Sequence, residues 1–390
     1  MSILNDLKWK ARVVRETLGV GKGAIQDSRT HLDAVIDWLC HAQDVTGNDG
    51  VAQTYLVRKA HWANAYPETT GYIIPTFFSY AQLTGREDIF LRACRMADWE
   101  CEIQLPEGGV LAGALGDSEQ PTIFNTGQVL FGWARAAEET GHGKYGNALE
   151  KAANWLCDAQ DEDGCWRQFG SPMTGKQINT YNTRTAFGLT RAHAVIGDSR
   201  YLDCAVRNVE WALTQQKANG WLERNCLQDD TQPFVHTIAY AMRGIMEVGV
   251  YARREAFVAA ARKIGDALLG HLRADGFLAG RFDRDWRPTV RWTCLTGDAQ
   301  IAINWARLYQ LTGEEKYREA AARINGFVKR TQKLDGDGHE RGGIKGSHPV
   351  NGGYHPWQYP NWPAKFFADA LMLQETMEGT HTEWEFKNDG

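Results

Sequence analysis

The sequence predicts an all-α fold, an (α/α)6 toroid of six inner and six outer helices, and three observations carry that prediction. A helical segment ending in Trp/Phe-x4-Gln recurs at Trp38/Gln43, Trp99/Gln104, Trp155/Gln160, Trp211/Gln216 and Phe327/Gln332, with a degenerate copy at Ala267/Leu272. The steps between first positions (38, 99, 155, 211, 267, 327) run from 56 to 61 residues. A fixed period of this size marks stacked or closed supersecondary units. Within each period an amphipathic helix alternates with a mostly apolar one, as an outer ring round an inner ring requires. No stretch shows sustained strand alternation, so little sheet is expected beyond loop hairpins.

The elements follow in order. Residues 1–18 can form a basic amphipathic helix with Ile3, Leu7, Val14 and Leu18 on one side. Such a helix could touch a membrane surface, but packing on the bottom of the barrel is the favoured reading. Residues 1–29 then make an N-terminal extension, 30–378 the toroid, and 379–390 a C-terminal tail. Outer helices are expected near 30–45, 87–104, 143–160, 199–217, 253–273 and 314–332. In the third of these, Ala148, Ala152, Trp155, Leu156 and Ala159 fall at helical spacing, and Asp163-Gly164 breaks the run. Inner helices start at a second pattern, Thr-Gly or a variant, at Thr70-Gly71, Thr126-Gly127, Thr183-Arg184, Thr237-Ile238 and Thr296-Gly297, with Trp362-Pro363 in sixth place. Thr70, Thr126 and Thr183 are read as helix caps.

Composition narrows the function. A chain of 390 residues with a formal net charge of −5 has no nucleic-acid footprint. No segment reaches membrane-spanning length, and the N-terminus lacks the apolar core of a secretory signal. A cytoplasmic protein is expected. The eight cysteines lie mostly inside helical patterns and read as buried thiols. Neither HExxH nor paired CxxC spacing occurs, so no metal and no cofactor is expected.

The functional signal is where the inner helices begin. Helix N-termini present free N–H groups and a positive dipole end. Six parallel inner helices would ring one mouth with such ends, and the residues beside them would face the cavity. These are Glu68, Asn125, Gln128, Tyr181, Asn182, Arg184, His236, Asp298, Asn361 and Trp362, with Asp230 just before the fourth inner helix. Capping does not explain Glu68, Arg184, His236 and Asp298 together, because buried charges must be paired or used. The loops add Arg291 and Trp292 from the Arg-rich run Gly280–Trp292, Arg341 and Tyr359 from the long Gly-rich stretch Gly338–Tyr359, and Trp62 from an early loop. Arg forks with aromatic faces suit an anionic, hydroxylated ligand. The alternative is a set of solvated loop charges paired with Asp283 and Asp285.

Two resemblances bear on this. WLCDAQDEDGCW (Trp155 to Trp166) is similar to the QW repeat of squalene–hopene cyclases and protein prenyltransferase subunits, with weaker copies at WLCHAQDVTGNDG and WALTQQKANGW. The DxDD acid of those cyclases is missing, and the zinc pattern of the prenyltransferases is not evident. The resemblance therefore implies the toroid and not isoprenoid chemistry. YPETTGYIIPT (Tyr66 to Thr76) and YPNWPAKFFADAL (Tyr359 to Leu371) resemble carbohydrate-active (α/α)6 barrels: unsaturated-glucuronyl hydrolases, uronate lyases, glucuronyl C5-epimerases and N-acylglucosamine 2-epimerases. That resemblance implies a sugar or uronate substrate.

The expectation is thus an enzyme acting on an acidic oligosaccharide or polysaccharide, with glycoside hydrolysis ahead of elimination or epimerisation. Hydrolysis needs two carboxyls, for which Glu68 and Asp298 are the candidates and Asp230 the reserve. Arg184, with Arg291 or Arg341, would hold the substrate carboxylate. A lyase or epimerase would instead use Tyr181 and His236 with Asn182 and Arg184. A non-catalytic glycan-binding toroid and a terpenoid cyclase-like protein complete the alternatives.

Overall fold

The computed structural model describes residues 3–19, 25–172, 175, 178–336 and 338–377; the expected tail, 379–390, lies outside them. In chain order the elements are α1 (Ile3–Thr17), α2 (Ser28–Asp44), β1 (Thr54–Leu56), β2 (His61–Trp62), α3 (Pro67–Thr84), α4 (Glu87–Ile103), α5 (Ile123–Thr140) and α6 (Gly143–Asp158). They continue with α7 (Thr183–Ile196), α8 (Ser199–Thr214), α9 (Val235–Tyr251), α10 (Glu255–Leu269), β3 (Thr293–Cys294), α11 (Leu295–Thr312), α12 (Glu315–Thr331), β4 (Ser347–His348), β5 (Gln358–Pro360) and α13 (Asn361–Met377). The inner ring is α3, α5, α7, α9, α11 and α13, each packed on the next, and α13 closes back on α3. The even-numbered helices form the outer ring. This is the (α/α)6 toroid.

Burial separates the rings as the patterning requires. Inner helix α9 buries every position from Val235 to Gly249. Outer helix α10 buries only Phe257, Ala260, Ala261, Ile264, Gly265 and Leu268, one stripe at helical spacing. Inner helices also approach closely at glycine. A Cβ at Gly127 would lie 2.4 Å from Thr185 Oγ1, and one at Gly188 would lie 2.4 Å from the Gly127 carbonyl. The Thr-Gly pattern is therefore partly a packing device.

The glutamine of the long repeat is a fastener. Gln160 Nε2 donates to the Gly164 carbonyl in its own turn (3.1 Å) and to the Cys204 carbonyl of the next outer helix (2.9 Å). Gln104 does the same to Gly108 and Ala148, Gln216 to Gly220 and Ala260, and Gln43 to Asp49 and Arg92. Gln332 closes the circle onto Gly342 and His31. Leu272 has no amide to offer, which accounts for the degenerate copy.

Two expectations are corrected. Thr70 and Thr126 are not caps but sit inside the first turn. Each hydroxyl donates to the carbonyl four residues back and accepts an N–H from the preceding loop, that of Val51 or Val110 (both 2.9 Å). Thr183 likewise back-bonds to Thr180. And α1 does not pack on the barrel bottom. It lies against the 340–359 stretch that leads into α13, on the mouth side. Arg12 bonds Glu340 through both terminal nitrogens at 3.0 Å, and Glu16 meets Lys345 at 3.0 Å.

The short strands serve the mouth. β1 pairs antiparallel with both β2 and β5, placing Tyr55 opposite Trp62 and Tyr359. β3 pairs with β4, Thr293 opposite His348. Together they hold the long loops over the inner N-termini.

Candidate functional site

The mouth is walled by a chain of rings contributed by several repeats. Tyr66 meets Trp362 at 6.3 Å between centroids, Trp362 meets His355 at 4.8 Å, and His355 meets Tyr354 at 4.7 Å. Tyr354 meets His236 at 5.3 Å, and His236 meets Tyr240 at 4.5 Å. Phe124 then links Tyr240 to Tyr181, both at 5.1 Å. Trp362 Nε1 donates to Tyr354 Oη at 2.9 Å, which fixes the indole.

Glu68 stands in the first turn of α3, inside this wall. It keeps some exposure to solvent, although its carboxyl is packed round by protein. Burial lifts that carboxyl to about 7, while the Tyr66 hydroxyl, which donates to Oε2, pulls the other way. Burial raises Tyr181 and Tyr240, and for each the nearby Glu68 charge is the next contribution. Glu68 thus sits within electrostatic reach of both phenols.

The two imidazoles are neutral. Burial takes His236 down to about 3, with Gln300 opposing and His355 adding to the fall. Burial takes His355 down to about 4, with Gln358 opposing. His236 Nδ1 lies 2.9 Å from Gln300 Oε1. With that oxygen as acceptor the proton is on Nδ1, and Nε2 is left as a base.

Below the wall, Arg184 points into the ring. Its Nε donates to Gln128 Oε1 at 3.3 Å, its guanidinium lies 4.5 Å from the Phe131 centroid and 5.8 Å from Tyr240, and Nη2 has no hydrogen-bond partner among the described residues. Burial, and then repulsion from Arg243, lowers it to about 10. Arg184, Tyr240, Arg243, Gln300 and Asn304 line a void of about 10 Å³, room for roughly one water. Little space is left at this depth of the ring.

Several expected members are elsewhere. Asp298 is fully buried. It accepts from Thr293 Oγ1 at 2.6 Å, and burial holds its carboxyl well above the usual range. Gln300, two residues on, faces His236, so helical geometry turns Asp298 away. The opposed carboxyl pair is not formed. Asn361 is also sealed, donating to the Ala52 carbonyl and to Thr69. Asn125 is tied to the Leu111 carbonyl at 2.7 Å.

The rim arginines turn outward. Arg291 and Arg341 are exposed, and Arg341 Nε is held by the Leu334 carbonyl. Arg287 pairs with Asp285, and Arg281 lies flat on Phe234 at 3.7 Å. Of the three arginines expected to hold a carboxylate, only Arg184 lies in the inner ring. Trp62 packs among Trp38, His41, Tyr55 and His339, away from the wall. The Tyr359 hydroxyl donates to Glu340 beside Arg12. Asp230 is exposed and accepts from Cys226 Sγ. Trp292 is half-buried against Phe234 and Gly353 at the edge of the mouth, and Asn182 is buried at the start of α7. Tyr66, Tyr240, Tyr354 and His355 complete the wall, yet in the sequence they are only loop or helix aromatics. Among the described residues no group of three or more His, Cys, Asp or Glu side chains could hold a metal ion.

The sequence matches no family model and no curated protein. Solved structures do match. An unsaturated glucuronyl hydrolase specific for heparin superposes with a TM-score of 0.74 at 16% identity, covering 90% of this chain and 98% of that one. A sugar epimerase from a ruminal bacterium gives 0.74 at 13%, covering 90% and 98%. The cellobiose 2-epimerase of Bacillus thermoamylovorans B4167 gives 0.70 at 12%, covering 88% and 97%. The chain shares their fold. Identity this low carries the fold and no residue assignment. What this (α/α)6 barrel offers chemically is its own: the Glu68 carboxyl raised to about 7, two neutral imidazoles, a set of phenols and, beneath them, the buried Arg184 and Arg243.

Proposed function

We propose that this chain is a carbohydrate-active enzyme that acts on an acidic, uronate-bearing saccharide by proton transfer at Glu68, with hydrolysis as the leading reaction. The observation that carries the reading is Glu68 itself, a carboxyl at about 7 inside an aromatic wall. A general acid–base group works best when its pKa lies near the working pH. Aromatic faces suit sugar rings, and the positive charge of Arg184, buried beneath the wall 5.8 Å from the Tyr240 ring, favours an anionic group above it. Solved structures with this fold include unsaturated glucuronyl hydrolases, which agrees in substrate class.

With Asp298 sealed, the two-carboxyl route to hydrolysis has only one of its members. A single acid–base group is enough when the sugar is unsaturated, because its ring C=C is an enol ether. Glu68 gives a proton to carbon, water adds to the resulting oxocarbenium ion, and Glu68 takes a proton back from that water. The hemiketal then opens by breaking its bond to the ring oxygen, which leaves a ketone and a hemiacetal at the anomeric carbon, and collapse of that hemiacetal to an aldehyde expels the leaving sugar. Epimerisation is the second reading, favoured by His236 and His355 standing neutral on the same wall, since it needs a proton acceptor on one face and a donor on the other.

Unsaturated and saturated uronate oligosaccharides decide between these. Loss of C=C absorbance with new reducing ends supports hydrolysis. A gain of absorbance points to a lyase, and a change of sugar configuration with neither points to an epimerase. Glu68→Gln with full activity on all of them would remove Glu68 from the reaction, and glycan binding without turnover would leave a non-catalytic toroid.

A further inference from the structure

The described residues carry eight large, exposed apolar side chains, and four of them, Leu7, Val14, Leu18 and Ile25, fall in the first 25 residues. Three are on or just past α1, exposed by 58%, 54% and 72%. At about 100° per residue, Leu7, Val14 and Leu18 lie within about 40° of one another, in one narrow line. Trp9, Arg12 and Glu16 lie half a turn away. Those three make the docking edge: Trp9 on Trp357 at 5.3 Å, Arg12 on Glu340, and Glu16 on Lys345 and on the Val350 N–H at 2.8 Å. The helix therefore holds the barrel by Trp9 and two charged side chains and turns its apolar line outward. That is the reverse of an ordinary surface helix, which buries the apolar side.

Cations border the line on both sides, Lys8 and Arg15 on one and Lys10 on the other, and all three are exposed. An apolar ridge between cationic margins is the pattern of a helix lying in a lipid headgroup layer. We infer that α1 is an interfacial helix that seats the mouth side of this barrel on an anionic lipid surface. Two features set this apart from pairing with a second copy. Three side chains fall well short of the roughly 800 Å² per partner of a stable protein interface. Helices paired along this line would also oppose their cationic margins. A ridge this small binds weakly on its own, as one acyl chain does, and needs the charge as a second signal.

The test is flotation of the full chain with vesicles of phosphatidylcholine alone and of phosphatidylcholine with about one quarter phosphatidylglycerol. Flotation is expected with the anionic vesicles, with about a tenfold loss in the Leu7→Ser/Val14→Ser/Leu18→Ser variant and a similar loss in Lys8→Ala/Lys10→Ala/Arg15→Ala. All six side chains are exposed, so helix content and melting temperature should stay as in the parent, and circular dichroism checks that. Failure to float with anionic vesicles overturns the inference. So does flotation that the triple serine variant retains, or a parent dimer that this variant turns into a monomer.

Discussion

Glu68 is where single-residue chemistry is most exposed to test. A kinetic pKa near 7 is usually assigned to histidine, but burial keeps His236 and His355 neutral from about 4 upward. A limb near pH 7 in the rate profile is therefore expected to belong to Glu68. If Glu68 gives the proton, activity falls as pH rises through 7; if it takes the proton, activity rises there. Glu68→Gln should cost about 10²–10⁴-fold and flatten the limb. Tyr66→Phe gives the finer test. The phenol donates to the carboxylate and so lowers its pKa; without it the limb should move to higher pH while the fold persists. Asp298 makes the opposite prediction. Asp298→Asn keeps an oxygen to accept from Thr293 and should leave kcat within a few fold. Its raised pKa means that the parent loses stability as pH rises above the unfolded carboxyl's value. The asparagine variant, measured by thermal melts at pH 5 and pH 8, should lack that loss.

At the scale of elements, the outer helices are legible in the sequence because one residue type does the same job in five of the six copies. Gln160→Leu is expected to remove the two hydrogen bonds that Gln160 donates to the Gly164 and Cys204 carbonyls at the seam between α6 and α8. The cost should be about 1–3 kcal/mol, read from denaturant midpoints, with the fold retained. Equivalent changes at Gln104 and Gln216 should cost alike. Period and patterning also reveal the inner helices, since a buried helix with few charges admits few other readings. The site is legible only in part. A position near an inner N-terminus tells that a residue is at the mouth, but not which way it points. Asp298 and Gln300 are two residues apart, and only the second faces the axis. Direction is set by helix rotation, which the repeat does not encode. The loop arginines show the same limit, because Asp285 and the ring of Phe234 claim them first. His355 enters the wall through the fold of the long loop, where no periodicity exists to read.

The described residues make a closed ring with α1 appended to it, and the two should respond differently to removal. The ring shuts where α13 packs between α3 and α11, pinned by Asn361 to Ala52 and Thr69 and by Thr76 to Asp369 at 2.7 Å. A chain ending at residue 360 would expose the inner faces of both neighbours, and cooperative melting should be lost. Removing residues 1–19 takes away mainly ion pairs, Trp9 and the Glu16 contact. The melting temperature is then expected to fall by only a few degrees, with helix content reduced by α1 alone. Acid should release α1 in the same way. The Glu16 carboxyl is held below its ordinary value: burial works against this, but Lys345, Arg12 and His348 prevail. Its contribution is therefore complete above the unfolded glutamate pKa and lost as pH falls through the folded one. Amide hydrogen exchange at pH 7 and near pH 3 would follow this directly. Protection in α1 should drop first while α9, buried along its length, stays protected. Loss of both together would mean that α1 is part of the ring's cooperative unit.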